Sequence, residues 1–485
     1  PSGCFEQTSS TTYPNVLVMD YLKKNKKINP ELQMKAEQYI NVGYQRLVTY
    51  ECKNGGFSWF GDEPANQVLT AYGLLEFSDM GKVHEVDPKV ISRTQNWLAG
   101  RQKADGTWPA DQGGIAEGII DRQSGALRTT AYLAWALAES GYTGSQVSKA
   151  VQYVKAHRGE AKDPYTLAVI LNLLVNVERN GEAASSVANS LIEIAKQTDK
   201  TAYWPSGDTR TFPGARSEGA DLETTGLAAF GLAKWGRNSG FVSKVLTYLI
   251  QSKDSFGTWS TTQGTVWSLK ALLYASSNAM GGGGGTVTVS ANGKTAETFK
   301  ITAADSDVMR QVDLLDLIKE GENANSLTYQ GDGSLLYQIV GRYYLPWEVA
   351  EKMPEGQAPM SIDVKYDKTT LAQNDTATVT VTIKNLTRAI VEMPLIDVGL
   401  PPGFTLVPDG LEEAVQAKRI SKYTPAARQI IIYMEKLDPG KTVTLTYALK
   451  AKYPIKARTP DSKAYAYYNP EKAARSAPQR IVVQK

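Results

Sequence analysis

The sequence predicts a multidomain α and β chain: an α/α toroid of helical hairpins, then a small β region, then a β-sandwich. Three observations carry this. From about residue 30 to 280 the apolar pattern is helical and alternates between two unlike kinds of segment. Five glycines, Gly281–Gly285, end that pattern, and strict strand alternation starts directly behind them. After residue 375, short alternating segments recur between Pro-Gly turns. The expected domains are 1–280, 281–350 and 351–485, a reasonable division for 485 residues.

Within the helical region, segments of the first kind are amphipathic: residues 30–48, 88–101, 145–157, 182–196 and 241–252. Those of the second kind are richer in small and apolar residues: 66–77, 127–140, 164–177, 222–235 and 262–276. A helix that is apolar on most faces must be surrounded by protein, whereas an amphipathic one faces water on one side. Turns with glycine and an aromatic residue precede several of the smooth helices, at Gly55-Gly56-Phe57-Ser58-Trp59, Asp105-Gly106-Thr107-Trp108 and Phe256-Gly257-Thr258-Trp259. Trp59 and Trp108 are 49 residues apart, and Trp108 and Trp259 are 151 apart, which sets a hairpin repeat near 50 residues. Five or six such hairpins, smooth helices inside and amphipathic ones outside, make a toroid; an open solenoid is the alternative.

Behind the glycines, residues 286–290 alternate and Asn292-Gly293 signals a two-residue hairpin turn. A second hairpin is expected from residues 326–329, a turn at Asp332-Gly333, and residues 335–340. Pro346 and the Pro/Glu-rich residues 353–359 read as a linker. The C-terminal region holds alternating runs at 376–383, 429–434 and 442–447, separated by Pro401-Pro402-Gly403 and Asp438-Pro439-Gly440, with a short helix expected at 411–419.

Net charge is +3, so electrostatics gives no case for nucleic acid or a lipid surface. The longest apolar run, residues 166–177, is too short to span a bilayer. No signal peptide opens the sequence, and residue 1 falls just before a reactive motif, as expected of a mature fragment. Cys4 and Cys52 are the two cysteines. They do not make a disulfide scaffold, although one Cys4–Cys52 bridge in an oxidising compartment is an open reading.

The segment Gly3-Cys4-Phe5-Glu6-Gln7 carries chemistry. A thiol beside a glutamine carboxamide can displace ammonia and form an internal thioester, and Cys-x-x-Gln closes that ring across one turn of chain. Gly3 supplies backbone freedom where the ring is tight. A thioester is an acyl donor with a good leaving group, since a free thiol ionises near pH 8.5. An amine or hydroxyl would attack the Gln7 carbonyl carbon, Cys4 would leave as thiolate, and the target would stay attached: acyl transfer run once. Such a bond needs shielding from water, for which Phe5, Phe57, Trp59 and Phe60 are candidates, with ordinary toroid core as the plainer reading. Glu6 is a candidate for orienting the thioester; charge pairing at a helix N-terminus is an equal alternative.

This motif resembles that of the α2-macroglobulin and complement thioester-protein family, Gly-Cys-x-Glu-Gln, matching Gly3, Cys4, Glu6 and Gln7; Phe5 stands where glycine is common. The resemblance continues through Tyr13-Pro14-Asn15 and residues 17–22, Gly43-Tyr44-Gln45-Arg46, residues 257–265, 394–403, 430–434 and 465–469. It implies a thioester domain of α/α-toroid fold, the downstream part of a CUB domain, and a terminal macroglobulin-like or receptor-binding sandwich packed over the thioester. It also implies a protease-trapping inhibitor rather than an enzyme, exported to a periplasm or beyond the cell and of bacterial kind. Its partners would be target proteases, or other proteins, bound through lysine amines, and upstream macroglobulin domains of a parent chain. No cofactor or metal is expected beyond the Cys4–Gln7 thioester itself. In relatives that favour hydroxyl targets a histidine attacks the bond first; here that position is Ala116 or, with a one-residue slip, Glu117. His84 and His157 are the only histidines and read as surface residues. Amine targets are therefore expected. The two lysines that bind a clearance receptor in vertebrate relatives fall at Pro408 and Glu412, so receptor binding is not expected; Lys418, Arg419 and Lys422 read as a solvated basic face. Asn374-Asp375-Thr376 and Asn385-Leu386-Thr387 are glycosylation sequons expected to go unused. An α/α-toroid enzyme of the terpene cyclase or prenyltransferase kind is the rival, favoured by Asp105-Gly106-Thr107-Trp108 but lacking a clustered-aspartate or zinc pattern. Asp221 and Glu223 read more simply as a charge preference at a helix start. An opsonin-like or non-covalent binding module is the second alternative.

Overall fold

The computed structural model describes residues 3–485 except 25–29, 110–124, 213, 255–256, 260, 279–283, 303–307, 309, 332–334, 336, 338, 342–357 and 468–471. Its helical region comprises α1 (Phe5–Lys24), α2 (Pro30–Leu47), α3 (Gln67–Met80), α4 (Pro88–Ala99), α5 (Gly125–Glu139), α6 (Ser145–His157), α7 (Pro164–Glu178), α8 (Glu182–Ile194), α9 (Ser217–Trp235), α10 (Ser239–Gln251) and α11 (Thr262–Asn278). The odd-numbered helices pack side by side, each on the next, and α11 packs back on α1. The ring is closed, so the open-solenoid alternative falls.

Burial follows the pattern that made the helices distinguishable. Every residue of α3 but Ser78 is buried, because this helix has protein on all sides. On α4 only Val90, Thr94, Leu98 and Ala99 are buried, one stripe of an outer helix. The aromatic turns have a common physical role. Trp108 Nε1 donates to the Leu98 carbonyl (2.7 Å), and Trp259 Nε1 donates to the Leu249 carbonyl (2.6 Å). Each indole thereby adds a donor to a carbonyl near the end of the preceding outer helix while filling the core. Trp204 does the same for Leu191 (2.8 Å). Its turn contains no glycine, and it follows a two-residue hairpin, β1 (Lys196–Gln197) with β2 (Ala202–Tyr203).

Helix α1 lies outside the helical pattern read from residue 30 onward. Thr8, Ser9, Ser10, Thr11 and Thr12 are poor helix formers and Pro14 stands inside the helix. Tertiary contacts override this. Ser9 Oγ donates to Glu76 (2.5 Å) and Tyr13 Oη to Asp79 (2.7 Å), both on α3, and Lys270 on α11 reaches the same Asp79 at 2.7 Å.

The β region is a three-stranded antiparallel sheet, β3 (Gly285–Ala291), β4 (Lys294–Ile301) and β5 (Asn325–Gly331), in the order β4-β3-β5. Asn292 (φ 49°) and Gly293 (φ 77°) make the expected tight turn between β3 and β4. The second expected hairpin is corrected: β5 pairs with β3, Val287 opposite Tyr329, and the described residues of 335–340 form no strand. Period-2 alternation marks a strand but not its partner, and here the partner lies about 40 residues upstream. Asp332-Gly333, Pro346 and most of the linker lie outside the described residues.

The C-terminal region is a sandwich. One sheet runs β11-β15-β8-β6, from Phe404–Val407, Thr442–Ala451, Thr376–Asn385 and Met360–Tyr366. The other runs β12-β13-β10-β17-β18, from Lys422–Pro425, Gln429–Tyr433, Pro394–Gly399, Ser462–Ala466 and Ala474–Ser476. Between them Val379, Val381, Ile383, Ile396, Val398, Ile430, Ile432, Leu445 and Leu449 form a dry core. A short pair, β9 (Val391–Glu392) with β14 (Lys436–Leu437), lies beside it. At one end β16 (Ile455–Arg458), β19 (Arg480–Gln484) and β7 (Thr370–Ala372) form a third small sheet whose β19–β7 pair is parallel. Helix α12 (Asp409–Gln416) buries Leu411 and Ala414 against β15. Of the two sequons, Asn385 is fully buried, its amide donating to the carbonyls of Ala389 and Leu437 at 2.8 Å, so its side chain is committed to the core.

Candidate functional site: the turn that opens the first helix

Gly3 has φ +86°, and this left-handed residue turns the chain so that Cys4 caps α1; the first helical bond runs from Thr8 N–H to the Cys4 carbonyl (2.9 Å). The Gly3 carbonyl accepts from Arg46 Nη2 (3.0 Å) and Tyr50 Oη (2.5 Å), which fasten the turn to the end of α2 and the chain beyond it. Phe5 N–H donates to the Trp59 carbonyl at 2.9 Å. Within the motif, Cys4 N–H donates to Gln7 Oε1 at 3.0 Å. The carboxamide is thus folded back over the turn that holds the thiol. Cys4 is 1% exposed. Burial pushes its thiol up to about 12. Cys4 and Cys52 are both free thiols, which removes the disulfide alternative.

Phe5 is fully buried with its ring edge-on to Tyr50, Phe57, Tyr72 and Phe77, at centroid distances of 5.4 to 6.5 Å. Gly73 makes room for it: a Cβ there would meet Phe5 Cζ at 2.8 Å. A large residue in the motif is matched by an absent side chain on α3.

The cover over the motif comes from the sandwich. Tyr433, at the end of β13, is 4% exposed and stacks edge-on against Phe60 (5.9 Å). Its Oη is so close to Gly3 that a methyl group there would meet it at 2.9 Å. Met393 is buried as a member of the toroid core, and Tyr467 packs against that same core. Tyr467 Oη lies 3.3 Å from Thr262 Oγ1 of α11. Burial raises the Tyr467 phenol, and the nearby Glu6 and Cys4 raise it further. Phe5 and Phe57 are therefore core behind the motif rather than its shield, and Phe60 contributes only as a platform. Lys422 is not part of a solvated basic face with Lys418 and Arg419. It lies in the seam, its Nζ 6.0 Å from the Tyr50 ring and 5.9 Å from the Phe60 ring, where burial lowers its ammonium.

Glu6 sits in the first turn of α1, yet it is 2% exposed and lines a cavity at the centre of the toroid. Gln263 Nε2 donates to Glu6 Oε1 at 3.5 Å. Glu223 lines the same cavity from α9. This corrects the helix-start reading of Asp221 and Glu223, since α9 begins at Ser217. Asp221 instead accepts from Ser206 N and Oγ, both at 2.6 Å. About 20 Å³ of the cavity is open to the centre of a water-sized molecule, far too little for an isoprenoid among the described residues. Ala116 and Glu117 lie outside the described residues. His84 and His157 stand apart from the motif, their rings against Tyr44 and Tyr153.

Residues 1–274 match the family model for the A-macroglobulin TED domain, and residues 391–478 match that for the A-macroglobulin receptor binding domain. The chain belongs to the α2-macroglobulin family. Ovostatin of Gallus gallus is 23% identical over 98% of this chain and 33% of its own length. The chain thus spans about a third of that relative. Among solved structures, native alpha-2-macroglobulin from Escherichia coli superposes with TM-score 0.68 at 18% identity, covering all of this chain and 74% of that one. Salmonella alpha-2-macroglobulin reacted with methylamine gives TM-score 0.68 at 16% identity, covering all of this chain and 30% of that one. At these identities the likeness is one of fold: helical ring, small sheet and sandwich in the same order. Among the described residues of this α2-macroglobulin-family chain, no helix is long and apolar enough to cross a membrane.

Proposed function

We propose that Cys4 Sγ and Gln7 Cδ form an internal thioester, and that a larger α2-macroglobulin-type protein containing this chain captures proteins through lysine amines. The observation that carries the proposal is the Cys4 N–H···Oε1 Gln7 hydrogen bond of 3.0 Å. Gln7 Oε1 stands in for the thioester carbonyl oxygen. A backbone N–H aimed at that oxygen is placed to stabilise the charge that develops there when the carbonyl is attacked. The amine nitrogen bonds to Cδ and the electron pair moves to Oε1. The tetrahedral adduct then collapses, the C–S bond breaks, and the sulfur departs with its electron pair and takes up the amine proton. An amide to the target remains on Gln7. The step runs once and regenerates nothing, so the chain acts as a single-turnover trap and not as an enzyme.

The cover supports this reading twice over. Tyr433 and Tyr467 exclude water and nucleophile from a bond that either would destroy. Burial that pushes the thiol up to about 12 also makes the buried sulfur a poor leaving group. Targets would be proteases met outside the cytoplasm. An opsonin-like role would require hydroxyl targets, for which neither histidine is at hand. The test is labelling of the intact parent protein with radiolabelled methylamine and glycerol. Incorporation of methylamine at Gln7, with one thiol released per label, is expected. Equal labelling by glycerol would refute the amine preference, and no labelling by either would refute the thioester.

A further inference from the structure

Two cations meet across the seam between toroid and sandwich without a counter-ion. A cleft of about 460 Å³ opens there beside the motif turn, and Val42, Gln45, Arg46, Tyr50, Phe60 and Lys422 line it. No carboxylate among the described residues does. Arg46 comes from α2 of the toroid and Lys422 from β12 of the sandwich, and both are half-buried. Both rest on Tyr50: Arg46 Nε donates to its Oη (2.8 Å), and Lys422 Nζ stands 6.0 Å from its ring. Among the described residues neither cation has an ion pair, and Lys422 has no hydrogen bond. Arg46 gives N–H groups to the neutral oxygens of Tyr50 and Gly3 and has others left to donate. Burial, and then Arg46, lower the Lys422 ammonium, so the two charges feel each other; the exposed Asp62 acts weakly the other way. Like charges facing across a contact oppose its closure. The cleft also adjoins the reactive turn. Arg46 and Tyr50 both hold the Gly3 carbonyl, and Lys422 is the residue opposite Tyr433 in the pairing of β12 with β13.

We propose that this cleft binds an oxyanion, a phosphate or a carboxylate, which bridges Arg46 and Lys422 and keeps the sandwich docked over the motif. The binding stands on the cleft alone; its effect on capture rests on the thioester reading. A guanidinium offers N–H groups that match two oxygens of such an anion, and an ammonium adds a point charge. Hydrogen bonds from these cations to an anion are about twice as strong as those to neutral oxygens. The volume leaves room for the anion together with bridging waters. The ligand finds both cations only while the sandwich sits on the toroid, because each body carries one of them. It therefore binds the closed form in preference to the open one and holds it by mass action. Tyr433 stands beside Lys422, so lifting that tyrosine off Gly3 is the movement the anion resists. The anion has two sources: free in solution, or an acidic side chain from another part of the parent protein.

The experiment has two arms, both with inorganic phosphate replacing chloride at constant ionic strength, so that general screening is held fixed. In the first, phosphate is titrated into the folded chain of residues 1–485 by calorimetry. Saturable binding of one phosphate is expected, weakened at least about tenfold in Lys422→Gln and kept in Lys422→Arg. Absence of binding, or equal binding by wild type and Lys422→Gln, would overturn the proposal. In the second, methylamine incorporation is timed in the parent protein. With a free anion as the source, phosphate at about ten times its dissociation constant should slow incorporation about tenfold, and Lys422→Gln should abolish that response. With an acidic side chain already in the cleft, phosphate changes nothing in the parent and Lys422→Gln labels faster than wild type. A parent indifferent both to phosphate and to Lys422→Gln would overturn the latch. If methylamine never labels the parent under any condition, the thioester reading fails instead, and the phosphate titration alone decides the cleft.

Discussion

Substitution of Gly3 by alanine isolates the geometry on which the chemistry depends. At φ +86° an L-residue is disfavoured by about 1–2 kcal/mol. The new Cβ would overlap Gln7 Oε1 and lie 2.7 Å from Gln7 Cδ and 2.9 Å from Tyr433 Oη. Gln7 would have to swing away and give up the bond from Cys4 N–H, worth about 0.5–1.5 kcal/mol. Together these weigh against the ring-closing geometry by about 1.5–3.5 kcal/mol, or roughly ten- to three-hundredfold in population. The assay is intact mass and titratable thiol on the full parent chain, with methylamine incorporation as the functional readout. Gly141→Ala is the control: its φ is +79° and a Cβ there meets nothing within 4 Å, so it carries the backbone cost without the clash. The Gly141→Ala chain should form the thioester normally and Gly3→Ala should not. Wild-type thioester occupancy in a folded Gly3→Ala chain would refute the reasoning.

Three further outcomes are expected. Tyr433→Ala removes a buried side chain worth about 1.5–3 kcal/mol from the cover, so methylamine should react with the parent protein roughly ten- to a hundredfold faster; an unchanged rate would mean that the seam does not open at this residue. Phe5→Ala should destabilise the toroid by about 3–5 kcal/mol in urea denaturation, since the ring is fully buried among four aromatic side chains; a loss below about 1 kcal/mol would contradict that packing. Burial pushes the Glu76 carboxyl up to about 8, against about 4.3 unfolded. The folded chain then binds more protons than the unfolded one between those values, so this group's contribution is full below about pH 4 and is lost as pH rises to 8. Thermal melts should show Glu76→Gln gaining on wild type as pH rises from 5 to 8; parallel curves would exclude the shift.

Much of this molecule is legible in its sequence, for identifiable reasons. Helices α2 to α11 announce themselves because burial on one face or all faces writes a local period of 3.6 into the residues. Strand β8 and the Asn292-Gly293 turn do so through a period of two and a φ that few residues tolerate. Cys4 and Gln7 are found by spacing alone, since the ring they would close spans four residues. Helix α1 carries no such period, because Ser9–Glu76, Tyr13–Asp79 and Lys270–Asp79 stabilise it from other helices against its own composition.

What only the tertiary structure decided is everything that joins residues far apart in sequence. Glu223 lies more than 200 residues from Glu6, and Tyr433 more than 400 from Gly3, so no local period relates them. Strand β5 could declare itself a strand but not its partner, because pairing register is set by what the neighbouring strand offers. Lys422 carries the same composition signal as Lys418, and only the packing of sandwich on toroid places it in the seam. The sequence by itself therefore determined the candidate pair, Cys4 and Gln7, and the architecture around it. The cover, the carboxyl-lined cavity and the hydrogen bonds that fasten the turn were decided by the closure of the ring and the docking of the sandwich, because burial and proximity arise only when distant segments meet.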